Sequence, residues 1–372
     1  MVSSFRVLTI GSGIMYNQNN RKEVNMDQMP TKKMLIINIL DILRKYSDVN
    51  HRLTQQDILR KLEGEYNMSV DRKAVKRNIM KLIDAGYDIE YTESERIGKF
   101  GEKETLYTDW YYNREFEDSE LRLLIDSLLF SKHIPYSQCK DLIDKVKGLS
   151  NTYFDTKVKH IVNLPENMPT NKQLFYNIDC IDEAIEKGKQ ITFKYAYYDI
   201  DKKLHVKEDN RNSREYLVNP YQIVATNGRY YLIGNYDKYD NIGHYRLDKI
   251  VDIKVAENPI KPMRKVKGLE NGLNLPTHMA EHIYMFSGKS IRVIFKAQRY
   301  LTDEIIDWFG LDTVFSNVTD DDILVTVKVN ENAIFYWLLQ YGQHVEVLEP
   351  KELRNRVAET VSDINKKYNK GE

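Results

Sequence analysis

Two short tyrosine-rich motifs, separated by a polar turn, constrain the fold of this chain more than any other feature. The first motif, 228–236, is Gly-Arg-Tyr-Tyr-Leu-Ile-Gly-Asn-Tyr, and the second, 245–250, is Tyr-Arg-Leu-Asp-Lys-Ile. Aromatic and β-branched runs on either side of a turn rich in Gly, Asn and Asp predict a β-hairpin. This hairpin presents tyrosines together with a guanidinium, a combination that suits nucleotides.

Composition indicates a multidomain protein. The 372 residues are 42% apolar, which is enough for more than one core and favours two to four domains. The net charge is zero, so any contact with nucleic acid depends on a local basic patch. Two cysteines are too few for a disulfide framework and indicate a reducing cytoplasm. The apolar runs are too short to cross a bilayer, so no membrane anchor is expected.

Residues 1–30 combine a short apolar piece with a run rich in Asn and Gln. A signal peptide is one interpretation, but Arg6 is the only basic residue before the apolar piece and no cleavage site stands out. We therefore expect a disordered segment, or an upstream start codon with the working one at Met26 or Met29.

Residues 31–114 have the pattern of three helices followed by a hairpin. The first helix is expected from Thr31, the second from a capping box at Thr54, and the third from about Val70 to the residues before Gly86. We expect 64–69 to form the turn between the second and third helices. The predicted buried positions are Leu35, Ile36, Ile39, Leu40, Leu43, Ile58, Leu59, Leu62, Val75, Ile79, Leu82 and Ile83.

The third helix has a basic face opposite its apolar one. In a helix-turn-helix the second helix of the motif lies in the major groove, where basic and amide side chains contact bases and phosphates. A solvated basic face without function is the alternative for any single helix. The candidate DNA-binding residues of this helix are Arg72, Lys73, Lys76, Arg77, Asn78 and Lys81.

The hairpin after the third helix, 87–91 with 105–111, encloses a charged loop with two glycines, 94–103. Such a loop is typical of a wing beside the DNA backbone. Arg96 and Lys99 are its candidate phosphate contacts, and nearby glutamates weaken them.

Residues 115–176 form a helical linker. Helices are predicted over 117–133 and 136–149, and the stripe of the first is Leu121, Leu124, Ile125, Leu128 and Leu129. This stripe either packs on the domain formed by residues 31–114 or pairs two subunits, as a regulator that binds a two-fold site requires. Residues 150–176 are expected to be an irregular connector.

The pattern of residues 177–257 predicts a helix, 179–187, followed by five strands. The strands are 190–198, 216–225, 229–236, 244–247 and 250–255, with a mobile charged loop at 200–213. Short strands with tight turns suit a five-stranded Sm-like or SH3-like barrel. One face of each strand points inward, so core packing is the stronger interpretation for any one tyrosine. The candidate ligand-binding residues are Tyr195, Arg214, Tyr231, Asn235 and Arg246; pairing of Arg246 with Asp248 is an alternative for that side chain.

The two tyrosine-rich motifs closely resemble the WYL domain, a small β-barrel that follows a DNA-binding head in bacterial transcriptional regulators. Tyr230 stands where that family usually has Trp, and Lys249 where it usually has Arg. The predicted head resembles the winged helix-turn-helix domains that precede WYL domains. After a linker, 258–289, residues 290–372 follow a ferredoxin-like order of elements. The tail, with Trp337, Gly342 and 345–350, resembles the C-terminal extension of WYL proteins. The resemblance implies an α+β multidomain fold.

The motifs of catalysis are missing from the sequence: it has no Gly-rich phosphate loop, no clustered His and Cys and no G-x-S-x-G turn. His278 and His282 have helical spacing, which hints at metal, but the favoured interpretation is a linker with two solvated histidines. We therefore expect no catalytic residue, no cofactor and no metal.

The favoured hypothesis is a cytoplasmic, homodimeric transcriptional regulator. Its head binds a double-stranded DNA operator, and its WYL domain senses single-stranded nucleic acid or a nucleotide. The alternative is a nucleic-acid-binding or protein-binding accessory subunit of a defence or RNA-handling system. An enzyme of unrecognised type is a weaker third hypothesis.

Overall fold

The structure is a computed structural model that describes residues 32–97, 102–132, 134–158, 171–206, 208–209 and 212–369. Helices and several separate sheets confirm the α+β multidomain class. The described residues form two compact units, and the division between them falls near Leu123 and again near Lys145. None of the described helices is long and apolar enough to cross a bilayer. The predictions for residues 1–30, Thr31 and Lys99 lie outside the described residues.

The head consists of three helices and a two-stranded sheet around one core. Its elements are α1 Leu35–Tyr46, α2 Gln55–Tyr66, α3 Arg72–Asp84, β1 Ile89–Ile97 and β2 Lys103–Tyr112. Leu53 and Trp110 exchange backbone hydrogen bonds of 2.8 and 2.9 Å, which brings the chain before α2 against β2. The predicted apolar positions all contribute to this core, and Ile42 and Trp110 are completely buried in it as well.

The ends of α2 and α3 follow from local hydrogen bonding. Thr54 forms the predicted capping box, since its hydroxyl accepts from the backbone N–H of Asp57 while the Asp57 carboxylate accepts from the backbone N–H of Thr54. The predicted turn at 64–69 is too long, because α2 continues to Tyr66 and ends where Asn67 adopts a left-handed conformation, φ 51°. Asp71 caps α3, and Gly86 has the predicted positive φ, 90°.

The predicted wing loop is mostly strand. β1 and β2 pair in an antiparallel ladder that extends to Ile97 opposite Lys103, so the connection between them is shorter than the predicted 94–103. Arg96 stands opposite Glu104 in this ladder, and the Lys103 ammonium lies 2.9 Å from Glu95. Both basic side chains thus have an acidic neighbour on the other strand, and such cross-strand pairs stabilise an antiparallel pair.

Three helices follow the hairpin, α4 Asp118–Phe130, α5 Tyr136–Lys147 and α6 Phe154–Lys157. The predicted leucine stripe of α4 is correct at Leu121 and Ile125, which are fully buried, but Leu124 is 42% exposed and Leu123 is more exposed still. The apolar residues of α4 therefore cover more of its circumference than one packed face.

The second unit contains an antiparallel sheet with one helix against it. The elements are α7 Leu174–Glu186, β3 Lys189–Tyr198, β4 Leu204–Val206, β5 Glu208–Asp209, β6 Asn212–Ser213, β7 Glu215–Thr226, β8 Arg229–Tyr236, β9 Ile242–Arg246 and β10 Ile250–Pro259. The strand order is β10-β3-β7-β8-β9, with β4 added to β3. Each of the five predicted strands corresponds to one of these strands, β3, β7, β8, β9 and β10. α7 begins five residues before the predicted helix, and part of the expected mobile loop forms β4.

Two glycines fit their backbone positions in this sheet. Asn227 and Gly228, with φ of 51° and 71°, form the two-residue turn between β7 and β8, the pair that a tight hairpin turn favours. A Cβ at Gly234 would lie 2.8 Å from the carbonyl oxygen of Asn219, so this glycine permits β7 and β8 to approach.

The predicted linker is packed against the sheet. It contains a 3-10 turn, Met263–Lys265, and a short helix, α8 Leu275–Glu281. Val266 and Leu269 pack with Tyr221, while Met285 packs with Val224 and Ile233. The expectation of a solvated linker is therefore wrong for this segment.

The C-terminal elements follow the predicted order. They are β11 Ser290–Gln298, α9 Thr302–Phe309, β12 Val314–Ser316, β13 Asp322–Asn330, α10 Glu331–Gln340, β14 Val345–Glu349 and α11 Lys351–Tyr368. The sheet order is β12-β13-β11-β14. Phe295, Phe309 and Trp337 meet in its core with ring centroids 5.0 to 6.3 Å apart. Sheet and helices thus share one apolar layer.

Candidate functional site

The solvent-facing side of α3 carries a row of basic side chains. Lys73, Arg77 and Lys81 are exposed, and their spacing of four residues places them along one side of the helix. The opposite side holds Val75, Ile79 and Leu82 in the core of the head. We call Lys73, Arg77 and Lys81 the basic stripe.

The other predicted DNA-binding residues of α3 have partners within the head. The guanidinium of Arg72 donates to the Gln56 side chain at 2.6 Å, and the Asn78 amide donates to the Ala74 carbonyl at 2.8 Å. The Lys76 ammonium lies 4.0 Å from the centre of the Tyr107 ring. These contacts fix the side chains to the head surface. Among the predicted residues of α3, those of the basic stripe have no side-chain hydrogen bond or ion pair within the described residues.

A second charged group occupies the sheet of the second unit, centred on Asp248. Arg246 donates from Nε and Nη2 to the two oxygens of Asp248, at 3.0 and 2.6 Å. The side chain of Asp248 is 8% exposed and that of Arg246 23%. Arg229 approaches the same carboxylate at 3.9 Å. Burial makes this a strong, directional ion pair.

Tyrosines surround the ion pair. The Tyr195 hydroxyl accepts a hydrogen bond from the backbone N–H of Arg246 at 3.1 Å, and burial raises the pKa of Tyr195 to about 12. Burial and then the charge of Asp248 raise the pKa of Tyr198 and of Tyr231. Tyr231 stands directly opposite Arg246 in the β8–β9 ladder. We call these six residues the Asp248 cluster: Tyr195, Tyr198, Arg229, Tyr231, Arg246 and Asp248.

The five predicted ligand residues have different partners in the structure. Tyr195, Tyr231 and Arg246 belong to the Asp248 cluster, but the guanidinium of Arg214 lies 4.9 Å from the ring centre of Tyr216. Asn235 is fully buried, and its amide donates to the carbonyls of Tyr239 and Asn241. An amide whose hydrogen bonds all close a turn has none to offer a ligand.

A third group, which the sequence prediction missed, consists of three histidines. His244 on β9 meets His278 and His282 from α8 and its end, and a ring nitrogen of each lies within 4.8 Å of the others. Burial lowers the pKa of His244 to about 3 and that of His278 to about 4, and it also lowers the pKa of His282. The spacing of His278 and His282 was the available signal; the long separation from His244 concealed the third member.

Comparison with known families agrees with this architecture. Residues 177–255 match the WYL domain, and residues 290–364 match the WCX domain. The chain therefore carries a WYL domain followed by a WCX domain, and the resemblance inferred from its two motifs is confirmed.

Similarity to individual proteins is more distant. The chain is 21% identical over 150 residues to the uncharacterized HTH-type transcriptional regulator YobV of Bacillus subtilis, a match that covers 40% of this chain and 45% of YobV. It thus spans less than half of that relative. Proteasome accessory factor B/C of Arthrobacter aurescens is 14% identical, with a TM-score of 0.29 over 90% of this chain and 49% of that one. A CRISPR Cas-related protein is 13% identical, with a TM-score of 0.35 over 91% and 84%.

Proposed function

We propose that this chain is a DNA-binding transcriptional regulator in which α3 enters the major groove. The observation that carries the proposal is the basic stripe on a helix whose other face is buried in the head. A capped helix precedes α3, and an antiparallel hairpin follows it. The WYL domain and the partial similarity to an HTH-type regulator support the same function.

The basic stripe supplies the contacts that such a helix needs. Three cations spaced by one turn each can follow a phosphate backbone or reach base edges. The chain as a whole has no net charge, so this local patch must supply the attraction. Arg96 contributes weakly, because its strand neighbour across the hairpin is Glu104.

Duplex binding tests the proposal directly. Genomic DNA fragments retained by the purified protein are sequenced, and the enriched duplex is titrated over a series of salt concentrations. We expect Lys73→Ala with Arg77→Ala to weaken binding and to reduce the slope of log K against log salt by about 0.9 for each lost phosphate contact.

A charge-matched control is available in the packed linker. Arg264→Ala with Lys265→Ala also removes one arginine and one lysine, both exposed in the second unit, and should leave affinity and slope unchanged. Equal binding by wild type and the α3 double variant, both folded, would refute the assignment of α3. Retention of RNA with no duplex enrichment would instead favour an accessory subunit of an RNA-handling system.

The Asp248 cluster is our proposed ligand site in the WYL domain, and single-stranded nucleic acid or a nucleotide is its proposed ligand. An arginine has five N–H donors, and Asp248 accepts from two of those on Arg246. The remaining donors can bind a phosphate, while the half-buried rings of Tyr198 and Tyr231 can stack on a base. Asn235 is omitted from this site because its amide closes a turn, and Arg214 because its guanidinium lies over the Tyr216 ring.

We further propose that the regulator acts as a homodimer in the cytoplasm. A regulator that recognises a two-fold operator presents two heads, one for each half-site. The exposed apolar residues of α4, Leu124 among them, offer a surface for this pairing.

A further inference from the structure

The three-histidine group described above joins two segments that are far apart in sequence. His244 comes from the middle of β9, whereas His278 lies in the last turn of α8 and His282 directly follows that helix. Their ring centroids are separated by 5.1, 5.0 and 4.1 Å. His278 is 8% exposed and His282 7% exposed. Three imidazoles thus converge in an interior position.

One nitrogen of each ring lies close to a nitrogen of each of the other two rings. Nε2 of His244 and Nε2 of His278 are 2.8 Å apart. Nδ1 of His282 lies 2.9 Å from the backbone carbonyl of His278. Donation to that carbonyl places the proton on Nδ1 and leaves the Nε2 lone pair of His282 available, the arrangement found in histidines that bind metal.

One nitrogen of the group has no protein partner among the described residues. Nδ1 of His244 is buried without a hydrogen bond, and a buried polar atom without a partner costs about 1–3 kcal/mol. The ligand nitrogen of His244 in this group is Nε2, so a bound ion would leave Nδ1 without a protein partner.

We propose that His244, His278 and His282 bind a divalent transition-metal ion, with zinc as the ion that fits best. Neutral imidazole is a preferred ligand of zinc, and three protein ligands leave a fourth position for water or another ligand. Zn–N bonds of about 2.0–2.1 Å place tetrahedral ligand nitrogens about 3.3 Å apart. The observed separations, 2.8 Å for one pair and within 4.8 Å for all, bracket that value.

A metal ion at this position would fasten α8 to the WYL sheet. Glu281, beside His282, pairs with Lys328 of β13 at 2.7 Å, so α8 also contacts the WCX domain. β9 carries Arg246 two residues beyond His244. The ion would therefore hold together the WYL strand that bears the Asp248 cluster and the helix that contacts the following domain. This inference does not depend on DNA binding.

The test uses full-length protein purified without a histidine tag and stripped of metal with a chelator. Zn²⁺ is titrated in competition with a chromophoric chelator, and Co²⁺ absorption reports the coordination geometry. We expect one ion per chain, a tetrahedral Co²⁺ spectrum and a higher melting temperature with Zn²⁺, because an ion that binds only the folded state stabilises it.

Variants separate the site from adventitious binding. His244→Ala and His278→Gln should each weaken Zn²⁺ binding by at least about 100-fold, since loss of even a supporting contact outside the ligands costs about 10–100-fold. His205→Ala removes a half-buried imidazole of β4 that pairs with Asp201, and this variant should bind Zn²⁺ as wild type does. Circular dichroism checks the fold of each variant. Wild type that binds no more Zn²⁺ than the His244→Ala, His278→Gln double variant, or an octahedral Co²⁺ spectrum, would overturn the proposal.

Discussion

Arg246 and Asp248 form a nearly buried ion pair, and this pairing explains why the role of a single residue is hard to assign from sequence. The second motif places Arg246 and Asp248 on either side of Leu247, and the 3-10 turn 247–249 brings both side chains to the same side. Arg246 can pair with Asp248 and also bind a ligand. The carboxylate accepts from two N–H groups of the guanidinium, and its remaining N–H groups can donate to a ligand.

Substitutions at this pair separate binding from stability. Arg246→Ala should lower the melting temperature, because it leaves the Asp248 carboxylate buried with Arg229, at 3.9 Å, as its cationic neighbour among the described residues. Loss of one partner of a buried pair costs about 3–5 kcal/mol, and the partial exposure of Arg246 places this case at or below the lower end. Arg246→Gln with Asp248→Asn retains a neutral hydrogen-bonded pair and should recover most of that stability.

The same two variants test the ligand site. We expect neither of them to bind a short fluorescein-labelled oligothymidylate, measured by anisotropy, because both lack the guanidinium that we propose as the phosphate contact. If the stable double variant binds the oligonucleotide as wild type does, Arg246 has only a structural role.

Asn235 shows where prediction from residue type fails. It stands beside the tyrosines of the first motif, and a polar residue in such a position suggests ligand contact. Instead, Asn219, Asn235 and Asp237 form a hydrogen-bonded group with Gln190 that closes the end of the strands. Only the three-dimensional ladder reveals that the amide closes a turn, since its partners are backbone carbonyls with no sequence signature.

At the scale of elements, most helices and strands were predictable because their signals are local. Capping residues, glycine with positive φ and alternating strand patterns decide where an element begins and ends. The errors occur where tertiary contacts override local preference: α2 continues past Gly64, and α7 begins at Leu174, which is fully buried in the sheet core. The linker histidines became buried for the same reason, through packing on β9.

The capping box of α2 provides a quantitative test at this scale. Its hydrogen bond from the Thr54 hydroxyl lowers the pKa of Asp57, so the ionised carboxylate stabilises the folded head. That contribution is complete above the unfolded value of 3.8 and is lost as the pH falls through the lower folded pKa.

Thr54→Ala should therefore destabilise α2 by about 1 kcal/mol at neutral pH. Hydrogen exchange of the α2 amides, measured by mass spectrometry, should accelerate about fivefold relative to wild type at the same pH. The ratio of variant to wild type should decrease when both are measured below the folded pKa of Asp57. Thr54→Ser, which retains the hydroxyl, serves as the control. A ratio that does not change with pH would contradict the role of the Asp57 carboxylate.

At the scale of the molecule, the chain combines a head with a basic stripe and a WYL domain with a separate charged site. A ligand at the Asp248 cluster can change operator affinity only if it binds differently to two states of the protein. The order of the WYL and WCX domains was predictable from motifs, because each of the two signatures occupies one continuous stretch of the sequence. The assembly state was not, because α4 exposes apolar residues that either packing or pairing would explain.

The final prediction joins assembly to sensing. Light scattering should give twice the 43.9 kDa chain mass, and saturating oligothymidylate should change the affinity of the dimer for its selected duplex by about 5–150-fold, the usual range of coupling between sites.

Arg246→Gln with Asp248→Asn should keep the dimer mass and the ligand-free duplex affinity but show no response to the oligonucleotide. Lys73→Ala with Arg77→Ala should do the opposite, binding the oligonucleotide normally while losing the duplex. A wild-type dimer that binds both nucleic acids without mutual effect would show that the two sites are independent, and a monomer with full operator affinity would reject the dimer.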